Sequence, residues 1–202
     1  MKLNIGIDID GTINNAAECN IKNGIKFCKE RNIPINPDIT KVDVGDIFGW
    51  TKKQRQEFLD IYFPWNIKNC GVLDGAVEAI RKLYNLSHKI YIITARDNTY
   101  QKNYRYTGEV MAKDTCEWFY KYGIPFYDII FKCSNIKDQV CEDYNIDLFI
   151  DDDPSNIIQI SKRGIPVIIY PQVYNKHLKG TPNTYYAKNW FDILAFITNI
   201  PL

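Results

Sequence analysis

Short, nearly continuous apolar runs recur along the chain, each followed by turn-forming residues and then by a stretch whose apolar positions fall three or four apart. The runs at residues 3–9, 89–93, 128–131, 147–150 and 166–170 are rich in Ile, Val, Leu, Tyr and Phe, as strands buried on both faces should be. Between them, residues 75–86 set Ala76, Ile80 and Leu83 at helical spacing, and residues 113–122 do the same with Cys116, Phe119 and Tyr120. Gly123 and Gly164 follow predicted helices and precede Pro125 and Pro166, a helix stop signal that needs no functional explanation. Strand and helix in alternation predict an α/β fold, a parallel sheet covered by helices on both faces.

One stretch breaks the alternation. Residues 14–74 hold helical patterns and no convincing strand, which predicts a helical cap inserted after the first strand. Residues 16–31 place Ile21, Ile25 and Cys28 on one helical face, and Asn32-Ile33-Pro34 ends that helix. A second helix over residues 51–63 opens on Thr51, a good N-cap. The expected division is a catalytic core of residues 1–13 and 75–202, and a cap of residues 14–74.

A chain of 202 residues with 46% hydrophobic content can bury one good core with a smaller unit beside it. Its net charge of +1 supplies no long-range field toward duplex nucleic acid or an anionic membrane. An acid at position 8 interrupts what a secretory signal would need to be apolar, so a cytoplasmic protein is expected, as monomer or homodimer. The six cysteines, at 19, 28, 70, 116, 133 and 141, show no C-x-x-C spacing and have only His88 and His177 to join them, which argues against zinc. They read as reduced, mostly buried small hydrophobes.

The acids carry more. The first strand runs Ile5-Gly6-Ile7-Asp8-Ile9-Asp10-Gly11-Thr12, so two carboxylates meet the end of an apolar strand, where open parallel sheets bind ligands. Residues two apart project to one side, so Asp8 and Asp10 can converge. Asp10-Gly11 alone could be a simple turn, but an ionisable group inside a buried strand is costly unless paired or metal-bound, and Asp8 is such a group. The fourth strand ends likewise in Asp151-Asp152-Asp153-Pro154. Asp153 before Pro154 suits a helix N-cap, which leaves Asp151 and Asp152 unexplained. Two bare carboxylates near 4 Å repel by about 4 kcal/mol at intermediate dielectric, so acids from neighbouring strands require a cation. Oxygen ligands without histidine or cysteine suit Mg2+. Thr94 after the second strand and Lys137 after the third can each hold phosphate.

This order of signals, Asp-x-Asp-Gly-Thr, then threonine, then lysine, then paired aspartates, resembles the haloacid dehalogenase (HAD) superfamily. The resemblance implies a Rossmann-like sheet in the order five-four-one-two-three. It also implies Asp8 as nucleophile forming an aspartyl-phosphate and Asp10 as general acid and base. Thr94 would bind the phosphoryl group, with Lys137 neutralising charge beside it. Mg2+ would be held by Asp8, the Asp10 backbone carbonyl and Asp151, with Asp152 supporting or joining them.

A narrower resemblance rests on Gly75-Ala76-Val77-Glu78-Ala79-Ile80, Ile93-Thr94-Ala95-Arg96 and Phe149-Ile150-Asp151-Asp152. These segments are similar to the 5′(3′)-deoxyribonucleotidases and their bacterial relatives, which implies a nucleoside monophosphate as substrate. Phe48, Trp50, Phe63 and Trp65 bracket a cap helix and could stack on a base, with Phe48, Trp65 and Arg96 as the expected substrate contacts. The run Thr94-Ala95-Arg96 departs from the threonine-serine type of the vertebrate members, so base and sugar preference do not transfer. Tyr174-Asn175-Lys176-His177 also resembles the bacterial relatives, with His177 expected at the surface. The alternatives are a phosphatase of another small metabolite, such as a sugar phosphate or phosphoglycolate, and a nucleotide-binding protein without turnover.

Overall fold

The computed structural model describes residues 2–96, 106, 108–131 and 134–199. Its strands are β1 (Asn4–Ile7), β2 (Lys89–Thr94), β3 (Asp128–Phe131), β4 (Leu148–Asp151), β5 (Val167–Ile169) and β6 (Thr184–Tyr186). They form one sheet in the order β3-β2-β1-β4-β5-β6, and every neighbouring pair is parallel. The five expected strands stand in the expected order. The sheet carries one strand more, because β6 is a half-buried Thr-Tyr-Tyr at the edge, too short and too polar to stand out as an apolar run.

Alternation along the strands builds two cores. Ile5, Ile7, Ile90, Ile92, Leu148 and Ile150 face α4 (Ala76–Asn85), α5 (Gly108–Tyr122) and α8 (Trp190–Thr198). Tyr91, Ile93, Phe149, Val167 and Ile169 face α6 (Lys137–Asp143) and α7 (Pro154–Lys162). Asp153 caps α7 by accepting from the backbone of Ser155 at 2.8 Å and Asn156 at 3.3 Å, with Pro154 opening the helix.

Between β1 and α4 lie α1 (Ala16–Glu30), α2 (Val44–Phe48) and α3 (Lys52–Asn69). They pack on a small core of their own, made of Phe27, Cys28, Val44, Ile47, Phe48, Phe58 and Tyr62. Thr51 and Gln54 close a capping box at the start of α3. That helix continues through Pro64 to Asn69, six residues beyond the predicted end at 63. Proline here removes one hydrogen bond without ending the helix, because the buried Tyr62, Asn66 and Ile67 anchor both sides of it. Five cysteines are free, of which Cys28, Cys70 and Cys141 are buried; Cys133 lies outside the described residues. Among the described residues, no helix is long and apolar enough to cross a membrane.

Candidate active site

The sheet register sets the site. Ile7 pairs with Ile150, so the next residues, Asp8 and Asp151, leave adjacent strands side by side. The backbone N–H of Asp8 donates to the Ile150 carbonyl at 3.0 Å, holding the two chains together to the point where the acids emerge. Gly6 and Asp8 share a face opposite Ile5 and Ile7, while Phe149 and Asp151 share a face opposite Leu148 and Ile150. Both acids therefore rise on the side that α6 covers, and the first residue of α6 is Lys137.

Lys137 is 1% exposed, and its Nζ lies 2.5 Å from Asp8 Oδ1 and 3.1 Å from Asp151 Oδ2. Asp151 takes two further donors, the Asp153 N–H at 2.8 Å and Asn156 Nδ2 at 3.0 Å. Asp152 accepts from Thr12 Oγ1 at 2.7 Å and from the Tyr174 hydroxyl. Carboxylate oxygens of Asp8, Asp151 and Asp152 all lie within 4.8 Å of one another, and all three residues are buried. Burial pushes the Asp8 carboxyl up to about 7 against the opposing pull of the Lys137 ammonium, and the neighbouring Asp151 and Asp10 charges add to the rise. Burial, together with the Asp151 and Asp8 charges, pushes Asp152 well above the usual carboxylate range. One ammonium against three carboxylates leaves an excess of negative charge that a single divalent cation would balance. An all-oxygen donor set of this kind suits a hard ion, so the residues present fit the metal that the sequence implies.

Asp10 stands apart from that cluster. Burial acts to raise its carboxyl, but the Arg96 guanidinium outweighs it and, with the Asn14 amide, holds Asp10 below the usual range. Arg96 Nε and Nη2 reach its two oxygens at 2.9 and 2.7 Å, and Asn14 Nδ2 donates at 2.9 Å. Arg96 is 1% exposed and is anchored on its far side by Thr115 Oγ1 at 3.1 Å. The loop between Asp10 and Asn14 is compact. Gly11 has φ +89°, and a Cβ there would meet Asp152 Oδ2 at 2.4 Å, so only glycine lets the acid approach. Asn14 Oδ1 accepts from Gly11 N and Ala16 N, both at 3.1 Å, and Trp190 Nε1 donates to the Thr12 carbonyl at 2.9 Å.

Above the acids opens a cavity of about 840 Å³, within the size range of small-molecule sites. Asp8, Asp10, Thr94, Arg96, Lys137 and Asp152 line its floor, and Thr94 is 1% exposed. Ile21, Val44, Ile47, Leu59 and Phe63 line the side formed by α1, α2 and α3.

The structure therefore brings together Asp8, Asp10, Thr94, Lys137, Asp151 and Asp152, all singled out by the sequence. It does not bring Phe48 and Trp65 to them. Phe48 is 6% exposed, stacks on Trp50 with ring centroids 4.8 Å apart and fills the space left by Gly24, where a Cβ would stand 2.2 Å from its ring. Trp65 sits on α3 one turn past Tyr62, where the core of α1–α3 ends, is 45% exposed and is not among the residues that line the cavity. Arg96 reaches the cavity, but its guanidinium is bonded to Asp10. Thr12 stands in the Asp-x-Asp-Gly-Thr run without a role read for it, while Asn14, Asn156, Tyr174 and Asn175 escape sequence reasoning, since none stands out by spacing; of these only the run 174–177 offers a signal, through its resemblance. His177 is exposed.

Residues 4–200 match the family model described as 5′ nucleotidase, deoxy (Pyrimidine), cytosolic type C protein. The chain belongs to this family. Across 198 residues it is 27% identical to a Bacillus subtilis (strain 168) protein named "Putative nucleotidase YqfW", covering 98% of this chain and 94% of that protein. In fold it is similar to a haloacid dehalogenase-like family hydrolase, SP0104 from Streptococcus pneumoniae, with a TM-score of 0.65 at 18% identity over 97% of this chain and 98% of the other. A predicted phosphatase from Clostridium acetobutylicum gives a TM-score of 0.69 at 15% identity over 99% and 100%. As a member of the nucleotidase family, the chain is a phosphoric monoester hydrolase acting on a small phosphate ester, and its fold is HAD-like.

Proposed function

We propose that this phosphatase hydrolyses nucleoside monophosphates with Mg2+ bound, through an aspartyl-phosphate on Asp8. The observation that carries this reading is the crowding of three buried carboxylates, Asp8, Asp151 and Asp152, around a single ammonium. Lys137 holds one oxygen of Asp8 and one of Asp151, but both oxygens of Asp151 already accept donors, which leaves the second oxygen of Asp8 as the one to attack phosphorus. The family description favours a nucleotide over a sugar phosphate or phosphoglycolate, and residues 14–74, which line one side of the cavity, act as a cap that admits only small esters.

In the first half-reaction the free Asp8 oxygen forms a bond to phosphorus while the bond from phosphorus to the nucleoside oxygen breaks, and that oxygen takes a proton from Asp10. Arg96 holds Asp10 as a carboxylate in the free protein, so Asp10 has to be protonated as the anionic substrate enters. In the second, Asp10 takes a proton from water, which attacks phosphorus and returns Asp8 as a carboxylate. The Thr94 hydroxyl and Lys137 ammonium hold the phosphoryl oxygens. Asp152 is the stronger candidate for direct metal contact, since the oxygens of Asp151 already accept three donors, with Asp8 and the Asp10 carbonyl completing the protein's share. Bound there, Mg2+ supplies charge for the phosphoryl oxygens. The free cysteines among the described residues suit work in a reducing compartment such as the cytoplasm.

Phosphate release from deoxy- and ribonucleoside 5′- and 3′-monophosphates, with sugar phosphates and phosphoglycolate alongside, tests the reading. Nucleotides should be the best substrates, and chelator should abolish the activity. A sugar phosphate or phosphoglycolate as best substrate overturns the nucleotide assignment, and chelator-insensitive turnover overturns the metal. A nucleotide that raises the melting temperature without being hydrolysed overturns catalysis.

A further inference from the structure

Asp152 is gripped by a segment that the chemistry above leaves unused. The 3-10 turn Val173–Leu178 follows β5, with Gln172 as its cap. Its Tyr174 hydroxyl donates to Asp152 Oδ2, and Asn175 Nδ2 donates to the Asp152 carbonyl at 2.8 Å. Gln172 Nε2 donates to the Gly11 carbonyl at 2.8 Å, so the same turn also holds the loop after Asp10. Asn175 is fully buried and is itself fixed by the Tyr186 hydroxyl at 3.1 Å and by the Gln172 N–H at 3.0 Å. The strand β6, invisible in the apolar pattern, thereby reaches the metal cluster through two residues.

An ionised carboxylate offers about four acceptor positions. In Asp152 one position on each oxygen is filled, by Thr12 on Oδ1 and by Tyr174 on Oδ2, and Gly11 packs against its edge. The rotation of the group is thus fixed, with a lone pair left on each oxygen. Partners that orient a metal ligand in this way are each worth about 10–100-fold in metal affinity.

We propose that Tyr174 is a positioning residue for the metal: its hydroxyl orients Asp152, so that the turn after β5 sets the affinity for the divalent ion. The inference rests on the Mg2+ site of the proposed function. Tyr174 lines the substrate cavity as well, and a direct contact with substrate is the rival role that the test must separate.

The experiment uses the full chain. Mg2+ binding is followed by calorimetry and by the metal-dependent rise in melting temperature, without substrate, in wild type, Tyr174→Phe and Thr12→Val. The Phe variant keeps the ring and loses only the hydroxyl. Its metal-free melting temperature should fall by only the few degrees that one lost hydrogen bond costs, while the Mg2+ dissociation constant rises about ten-fold, the lower end of what such partners are worth. Thr12→Val, which frees the other oxygen, should weaken Mg2+ in the same direction. At saturating Mg2+ the KM of Tyr174→Phe should be unchanged. An unchanged or tighter Mg2+ constant in Tyr174→Phe overturns the proposal, and so does a raised KM with normal Mg2+ binding. Wild type that binds no Mg2+ by either method defeats the metal reading itself, a different result from an unaffected variant.

Discussion

Lys137→Met removes one buried charge and little volume, and the acids around that charge set the cost. Two carboxylates, 2.5 and 3.1 Å from Nζ, lose their counter-ion, with Asp152 beside them. Breaking a buried pair by deleting one partner costs about 3–5 kcal/mol. For a domain of this size each kcal/mol moves Tm by about 2–4 °C, so the metal-free variant should melt roughly 6–20 °C below wild type at pH 8. The penalty depends on pH. Lys137 lowers the Asp8 carboxyl, which stands at about 7 with the lysine present and goes higher without it. At pH 5 Asp8 is protonated in both proteins, one of the orphaned charges is absent, and the gap between them should shrink. Mg2+ should restore much of the loss at pH 8, since the ion replaces the missing charge, while turnover falls at least 100-fold because phosphate loses its ammonium. Thermal melts in chelator and in Mg2+ at the two pH values, with a phosphate-release assay, measure each of these effects. A variant as stable as wild type in chelator at pH 8, or equally destabilised at both pH values, would refute the claim that Lys137 compensates ionised carboxylates.

Further expectations share this electrostatic origin. In metal-free wild type the folded Asp8 carboxyl lies above its ordinary value of 3.8, so the folded state binds more protons through the window from 3.8 to about 7 and stability falls as pH rises across it; melts in chelator at closely spaced pH values would show the opposite slope if Asp8 were stabilised as an anion. Asp8→Asn should abolish turnover and, at pH 8 in chelator, raise Tm above wild type, because it removes a buried like charge; a lower Tm there would contradict the repulsion. Gly11→Ala should destabilise by more than about 1 kcal/mol, since a left-handed φ of +89° and a Cβ 2.4 Å from Asp152 Oδ2 act together, and urea denaturation reads it directly. Asp10→Asn should slow alkyl phosphates far more than p-nitrophenyl phosphate, whose leaving group needs no proton; equal slowing would remove Asp10 from the acid role.

The floor of the site was legible because it depends on local pattern. An acid inside an apolar strand, a glycine directly after the second acid and acids at the tip of a second strand are each out of place in a plain α/β sheet, and alternation fixes which of them share a side. The sheet order came through the resemblance, and the register then joins Asp8 to Asp151. What pattern could not show is the polar bracing that arrives from remote chain. Arg96 on Asp10 spans 86 residues, Tyr174 on Asp152 spans 22 and Trp190 on Thr12 spans 178, and nothing in the spacing of such residues announces a contact. The cap aromatics illustrate the reverse error. Both rings suit base stacking, yet Phe48 is consumed by the core of α1–α3, because a three-helix unit of this size needs large rings to bury itself, and Trp65 is 45% exposed outside the residues that line the cavity.

Acyl phosphates are cut by hydroxylamine, which leaves a hydroxamate on the residue that carried phosphorus. Quenching the enzyme in hydroxylamine during turnover of a nucleoside monophosphate with Mg2+, and sequencing its peptides by mass spectrometry, should place a hydroxamate on Asp8, dependent on substrate and absent without the metal. Steady hydrolysis with residue 8 unmodified, or the mark on Asp10 or Asp152, would contradict nucleophilic attack by Asp8.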